Sequence, residues 1–224
     1  MRRLVLAALG LLTLAAGPPQ EPASILENMA RANDAMTSLA ARLEQKKAYP
    51  QLGIEDPPER GEFALKRKPD GKLLVRVEIR EPETRIVTLS DRRFVLYQPR
   101  IKQALEGTVD EQGGGRAGTS FVTYFLGGLG QAGKDYRIAA VGEETIQNRA
   151  TSHLRLTPKA GVRVLYRQID LWVDREWWMP IQQEFTEYNQ SRTTLRFEDL
   201  RLNPDLPDSH FIQKIPPGVE RIRG

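Results

Sequence analysis

Two hydrophobic periods run along this chain, and they change near residue 50. From Ser24 to about Lys46, apolar residues recur at helical spacing: Ile25, Leu26, Met29, Ala32, Met36, Leu39, Ala40 and Leu43 form one stripe. Ser24 followed by Glu27 has the spacing of a capping box, in which a hydroxyl and a carboxylate satisfy free amides at a helix start. The pattern predicts a helix over Ser24–Lys46, broken by Tyr49-Pro50 and Pro57-Pro58. From residue 60 onward the period is two. Leu73, Val75, Val77 and Ile79 alternate with Leu74, Arg76, Glu78 and Arg80. Ile169, Leu171 and Val173 share a parity opposite Gln168, Asp170 and Trp172, and Leu195 and Phe197 alternate with Arg196 and Glu198. Strands buried on one face and wet on the other belong to antiparallel sheets. Turn residues separate them at Pro69-Asp70-Gly71, Ser90-Asp91, Gln147-Asn148, Lys159-Ala160-Gly161 and Asn189-Gln190. About nine to eleven strands are expected by this reasoning.

Two stretches interrupt the strands. Gly113-Gly114-Gly115 with Gly118 reads as a flexible loop. After it, Thr119-Ser120 could cap a short apolar helix, Phe121–Leu129, either a lid over an oily space or an ordinary core helix. At the N-terminus, Arg2 and Arg3 precede an apolar run from Leu4 to Ala16 and the break Gly17-Pro18-Pro19. That is the layout of a secretory signal, with a membrane anchor as the alternative. The expected organisation is a signal peptide over 1–17 and one domain over 18–224, exported to the periplasm.

Composition narrows the chemistry. The chain has 224 residues, no cysteine and two histidines, which removes disulfides, thiolate chemistry and most histidine-built metal centres. Loss of residues 1–17 removes two arginines and leaves a net charge of +2, with charges interspersed, so no nucleic-acid partner is expected. Ser120 lies outside a Gly-x-Ser-x-Gly elbow, and the glycine tract lacks a following Lys-Ser/Thr for phosphate binding. His210 near Asp205 and Asp208 reads as a surface histidine in a turn before an edge strand. Asp170 and Asp174 have wet-face parity and are expected to be solvated, while Trp172, Trp177 and Trp178 are expected to pack. No enzyme activity, metal or cofactor is expected.

The order of segments resembles the periplasmic outer-membrane lipoprotein carrier (LolA-type) superfamily, from near Ser24 to about Val219. The resemblance rests on Gly61-Glu62-Phe63-Ala64-Leu65-Lys66-Arg67-Lys68-Pro69, Glu81-Pro82 with Ile86-Val87, and Phe94-Val95-Leu96-Tyr97-Gln98-Pro99. It continues through Leu154-Arg155-Leu156-Thr157-Pro158-Lys159, Leu171-Trp172-Val173-Asp174 with Met179-Pro180, and Asp199-Leu200-Arg201-Leu202-Asn203. It closes on His210-Phe211 and Ile215-Pro216-Pro217-Gly218-Val219. The family has arginine before the proline where this chain has Lys68, with Arg67 one place earlier, and its usual Asp-Gly turn is Asp91-Arg92 here. The resemblance implies an α+β fold: a curved, incompletely closed antiparallel β-barrel with helices over its concave face. It also implies a carrier that takes acylated lipoproteins or related lipids from an inner-membrane exporter toward an outer-membrane acceptor. A lipid- or protein-sensing envelope protein of the same fold is the alternative, and a monomer is expected. The residues expected to line the cavity are Phe63, Leu65, Val75, Val77, Phe94, Leu96, Leu171, Val173, Phe185, Leu195 and Phe197, with Met29, Met36 and Phe125 from the covers. Lys66, Arg67 and Lys68 are candidates to gate the mouth or meet anionic headgroups. Each acyl methylene leaving water gains about 0.8 kcal/mol. The empty cavity is therefore expected to be partly collapsed, its helices and sheet exchanging their mutual contacts for lipid.

Overall fold

The computed structural model describes residues 21–108 and 133–223. The expected signal segment, the glycine tract, Ser120, Phe125 and the expected short helix lie outside the described residues. Among the described residues, helix α1 (Pro22–Ala35) is followed by thirteen strands, with a further helical turn at 133–135. The strands are β1 (Ser38–Tyr49), β2 (Ile54–Glu55), β3 (Glu59–Arg67), β4 (Leu73–Glu81), β5 (Arg85–Ser90), β6 (Arg93–Gln98) and β7 (Gln103–Thr108). After the undescribed residues come β8 (Tyr136–Ile146), β9 (Arg149–Pro158), β10 (Tyr166–Asp174), β11 (Pro180–Glu187), β12 (Arg192–Leu202) and β13 (Glu220–Arg223). The sheet order is β13-β7-β6-β5-β4-β3-β1-β12-β11-β10-β9-β8, with β2 on β1. β13 and β8 are its two ends, so this curved sheet does not close into a barrel. The expected α+β, open antiparallel architecture is the one observed. The strands number more than expected because β2 and β13 span only two and four residues, too short to show a period.

The helix is shorter than its sequence pattern. It begins at Pro22, with Glu21 as N-cap, so Ser24 lies inside the first turn and not at the cap. It ends at Ala35, and Met36 is already extended. Residues 38–49 form β1, at the centre of the sheet between β3 and β12. The misleading helical spacing has a physical origin. Ser38, Leu39, Ala40 and Ala41 are all buried, because this end of β1 is covered on both faces. A strand buried on both faces loses the alternation that marks strands in sequence.

The turn residues act as expected. Asp91, Gln147, Asn148 and Gln190 take left-handed backbone angles, as does Gly71. Gly61 is constrained from another direction. A Cβ there would sit 1.9 Å from the Glu78 carbonyl oxygen of the neighbouring strand, so only glycine lets β3 and β4 meet at this irregularity in their register.

Cross-strand register puts the large apolar residues on one face. Ala41, Phe63, Val77, Val87, Leu96 and Leu105 are successive partners across β1, β3, β4, β5, β6 and β7. On the other half, Leu195, Gln183, Leu171 and Leu154 follow one another across β12, β11, β10 and β9. This inner face and Ile25 of α1 form one buried apolar cluster.

The outer face carries the chain's last segment. Asn203 accepts hydrogen bonds from the backbone N–H and hydroxyl of Thr37 (2.8 and 3.1 Å), and Ser38 donates its hydroxyl to the Pro204 carbonyl at 2.6 Å. Phe211, buried in a 3-10 turn, packs with Leu206 against Ala64 and Leu74. The segment then reaches the sheet's end, where β13 pairs parallel with β7.

Candidate functional site

The inner face is the candidate site, built from alternate residues of consecutive strands. Phe63, Leu65, Val75, Val77, Leu171, Val173, Phe185, Leu195 and Phe197 are all buried there. Phe63 and Phe197 meet edge to face, with centroids 5.5 Å apart, which ties the two halves of the sheet across β1. Phe94 and Met29 are half-buried and pack against this cluster, and Met36 is buried within it. Leu96 has the same parity, between Val87 and Leu105, and is half-buried. The expected lining residues on the strands therefore share one face, and Met29 and Met36 pack against it.

Among the described residues, its cover is α1. α1 is fourteen residues long, and Ile25 is its one fully buried side chain. No side chain caps its N-terminus, its first turn has no acid and its last turn no base to complement the helix dipole. A helix this short is marginal in water without tertiary support, so its position depends mainly on the apolar contacts it makes. Those contacts include Ile25, Leu26, Met29 and Ala32 against the inner-face cluster.

The three basic residues at the end of β3 separate by parity. Arg67 has inner-face parity, donates to Asn33 Oδ1 of α1 at 3.2 Å, and keeps its Nε buried without a partner. Lys66 and Lys68 lie on the outer face. Lys66 Nζ donates to the Leu206 carbonyl and to Asp208 Oδ1, both at 2.7 Å, and Lys68 Nζ is 3.4 Å from Asp208 Oδ2. The Lys66 hydrogen bond holds the Asp208 carboxyl below the usual carboxylate range. Asp208 is thus engaged with lysines, and neighbouring His210 is exposed. At the opposite end of β3, Glu59 binds the Arg85 guanidinium with both carboxylate oxygens and accepts from Gln45 at 2.8 Å. The inner face therefore has an arginine at each end.

One expectation fails on the outer face: Asp170 and Asp174 are buried, not solvated. Asp170 accepts from Arg155 Nε at 2.8 Å and lies 2.7 Å from His153 Nε2. His153 reaches Glu144 Oε1 at 2.8 Å through its other nitrogen and stacks on Trp172, whose indole N–H also donates to Glu144. Asp174 binds Arg149 and accepts the backbone N–H groups of Glu176 and Trp177 at 2.9 and 2.7 Å. Burial pushes the Asp174 carboxyl up, but Arg149 and the two amides outweigh it and leave it below its ordinary value. Parity placed these acids correctly, but parity says nothing about neighbours long enough to cover them. Trp177 packs beneath the Arg149 guanidinium, 3.6 Å from its ring centre, so the expected packing role of this tryptophan holds.

Two recesses formed by described residues lie on the outer side. One, of about 340 Å³, is lined by Arg76, Glu78, Arg80 and the last segment; the other, of about 110 Å³, lies beneath Leu206 and His210. In the larger one, Arg76 and Arg80 both bind Glu78, and Arg80 also binds Glu62. These charges satisfy one another.

The architecture is the LolA-type fold that the sequence resemblance implied. It is shared with an uncharacterized conserved protein from Thermus thermophilus, at TM-score 0.57 and 12% identity over 90% of this chain and 98% of that one. The Mycobacterium tuberculosis lipoprotein LppX aligns at TM-score 0.50 and 14% identity, over 84% and 99% of the two chains. The Pseudomonas aeruginosa MucA/MucB complex aligns at TM-score 0.54 and 17% identity, over 85% of this chain. This chain spans only about 60% of that relative's length. No curated protein matches the chain significantly. Residues 76–191 match a family model described as an uncharacterized protein, and the chain belongs to that family.

Proposed function

We propose that this protein is an exported lipid-binding carrier whose inner face receives the acyl chains of lipoproteins or related lipids for delivery toward the outer membrane. The observation that carries the proposal is a largely apolar face, drawn from strands on both halves of the sheet and covered, among the described residues, by a helix with one fully buried side chain. Moving α1 outward exposes hydrocarbon-compatible surface without breaking the sheet. Arg67, bound to Asn33 of α1, joins this motion to the mouth. Closing α1 again restores the apolar contacts and favours release. The N-terminal segment supplies export to the periplasm. No catalytic step is part of this reading.

The test is cargo. The mature protein, purified from a bacterial envelope, carries acyl chains detectable by mass spectrometry and passes them from donor to acceptor vesicles. Protein free of lipid that takes up none in vitro overturns the proposal. The likeness to the MucA/MucB complex supports a second reading, a sensor that binds lipid or protein and transports nothing. Stable lipid binding without transfer selects that reading.

A further inference from the structure

Strands β8 to β12 carry their charges differently at their two ends. At the end where β9 begins and β10 finishes, the arginines are paired: Arg149 binds Asp174 and Glu176, and Arg175 binds Glu143 at 2.6 Å. At the other end, the start of β8, the β9–β10 loop and the β11–β12 turn bring together six exposed cations: Lys134, Arg137, Lys159, Arg163, Arg167 and Arg192. None of them forms an ion pair among the described residues. Lys159 donates to the Gly133 carbonyl at 2.8 Å, which ties the loop to the start of β8. Arg137 pairs with Thr157 and Arg192 with Thr186, so neutral residues and not carboxylates face these arginines across the strands. The acids nearby are Asp135 and Glu187 in the same segments, and Glu55, on the far side of Ala48 from Arg192.

Two large apolar side chains stand among these cations. Tyr166 pairs with Glu187, and Leu165 and Tyr188 each lie one residue beyond that pair, 52% and 60% exposed. Hydrogen bonds fix the backbone that presents them. Tyr136 donates its hydroxyl to the Tyr166 carbonyl at 3.1 Å. The Gln190 N–H bonds the Glu187 carbonyl at 3.0 Å, and the Ser191 N–H bonds Asn189 Oδ1 at 2.9 Å.

An acidic protein surface answers the cations alone. A bilayer bearing anionic headgroups answers both features, with phosphates over acyl carbons. Its charge attracts Lys and Arg within a Debye length, about 10 Å at 0.1 M salt. Leucine buries its side chain at the headgroup–acyl boundary, and tyrosine settles there with its ring in the apolar layer and its hydroxyl in water.

We propose that this end of β8–β12 docks on an anionic phospholipid bilayer, with Leu165 and Tyr188 entering the interface and the surrounding cations meeting headgroup phosphates. The fold gathers the charges from separate segments, which is why they read as interspersed along the chain. The proposal is independent of acyl binding on the inner face.

The test is co-sedimentation of the purified mature protein with vesicles of equal parts phosphatidylglycerol and phosphatidylcholine, and with vesicles of phosphatidylcholine alone. The native protein binds the anionic vesicles about tenfold more tightly, and raised salt removes the difference. Arg163→Gln combined with Arg167→Gln weakens anionic-vesicle binding about 25-fold, at about fivefold per arginine. Leu165→Ser combined with Tyr188→Ser weakens it about tenfold. Arg201→Gln combined with Arg223→Gln removes the same charge from exposed positions elsewhere and leaves binding unchanged. Each variant keeps the native Tm and the native affinity for an environment-sensitive naphthylamine dye on the inner face, so loss of docking is separable from loss of the fold or of the acyl site. Equal binding to both vesicle types, an equal loss in the Arg201/Arg223 variant, or full binding by the Leu165/Tyr188 variant overturns the proposal. Binding to neither vesicle also overturns it, and leaves an acidic protein as the occupant that fits the charge. In every case the lipid-binding reading stands or falls on dye and cargo, not on vesicle binding.

Discussion

Truncating Ile25 to alanine tests whether α1 is a movable cover. Ile25 is 1% exposed and is the one fully buried side chain of the helix, so the change removes its main anchor. Isoleucine-to-alanine changes in cores cost about 2–5 kcal/mol, depending on how far the surroundings collapse. A helix next to the chain's N-terminal segment can relax, which puts the expected cost at about 2–3 kcal/mol within that range. Where α1 opens on its own, that energy acts on the opening equilibrium alone and shifts it about 30- to 150-fold toward the open form. A ligand that binds only the open form gains apparent affinity by up to the same factor. Hydrogen exchange should show faster exchange in α1 (Leu26–Arg31), with β1 and β12 unchanged, and dye titration should show tighter binding. Equal loss of protection in α1 and the central strands, with no gain in affinity, would refute the reasoning: α1 would then be part of the cooperative core.

Gly61→Ala should destabilise the fold by several kcal/mol, read from chemical denaturation, because the added Cβ meets the backbone of β4 with no flexible side chain to yield. Asp174→Asn should cost about 3 kcal/mol by breaking a buried ion pair with Arg149. Because the folded Asp174 carboxyl sits below its ordinary value, its stabilisation is present above the unfolded carboxylate value and is lost as pH falls through the folded one. The variant's stability should accordingly fall less steeply on acidification, measured by thermal melts across the acid range. Phe211→Ala should loosen the last segment from Ala64 and Leu74, costing about 3 kcal/mol and speeding proteolysis after residue 203, with the inner face's dye binding intact.

Alternation in β4, β10 and β12 was legible because each has one apolar and one polar face, and register then followed from matching those faces. The turns were legible from residues that tolerate left-handed angles. The lining residues were legible as a set for the same reason: parity assigns a face before the face has a neighbour. Gln183 escaped notice because a glutamine in an alternating strand is read as wet. Its neighbours Gln182 and Glu184 belong to the opposite face, and nothing local distinguishes the inward amide from the outward one.

By itself the sequence determined the periods, the turns and the order of segments, all of which are set by interactions among residues close along the chain. Tertiary structure alone decided that residues 38–49 form a strand, since burial on both faces of the central strand erased its local signature. It also decided that Asp170 and Asp174 are enclosed by His153, Arg155 and Arg149, and that Lys66 and Lys68 hold Asp208 while Arg67 faces α1. Those outcomes depend on partners from 15 to more than 140 residues away, brought together by the folded sheet and its last segment. Local sequence carries no record of such neighbours, because solvent exposure and charge pairing are properties of the assembled surface and not of the residue.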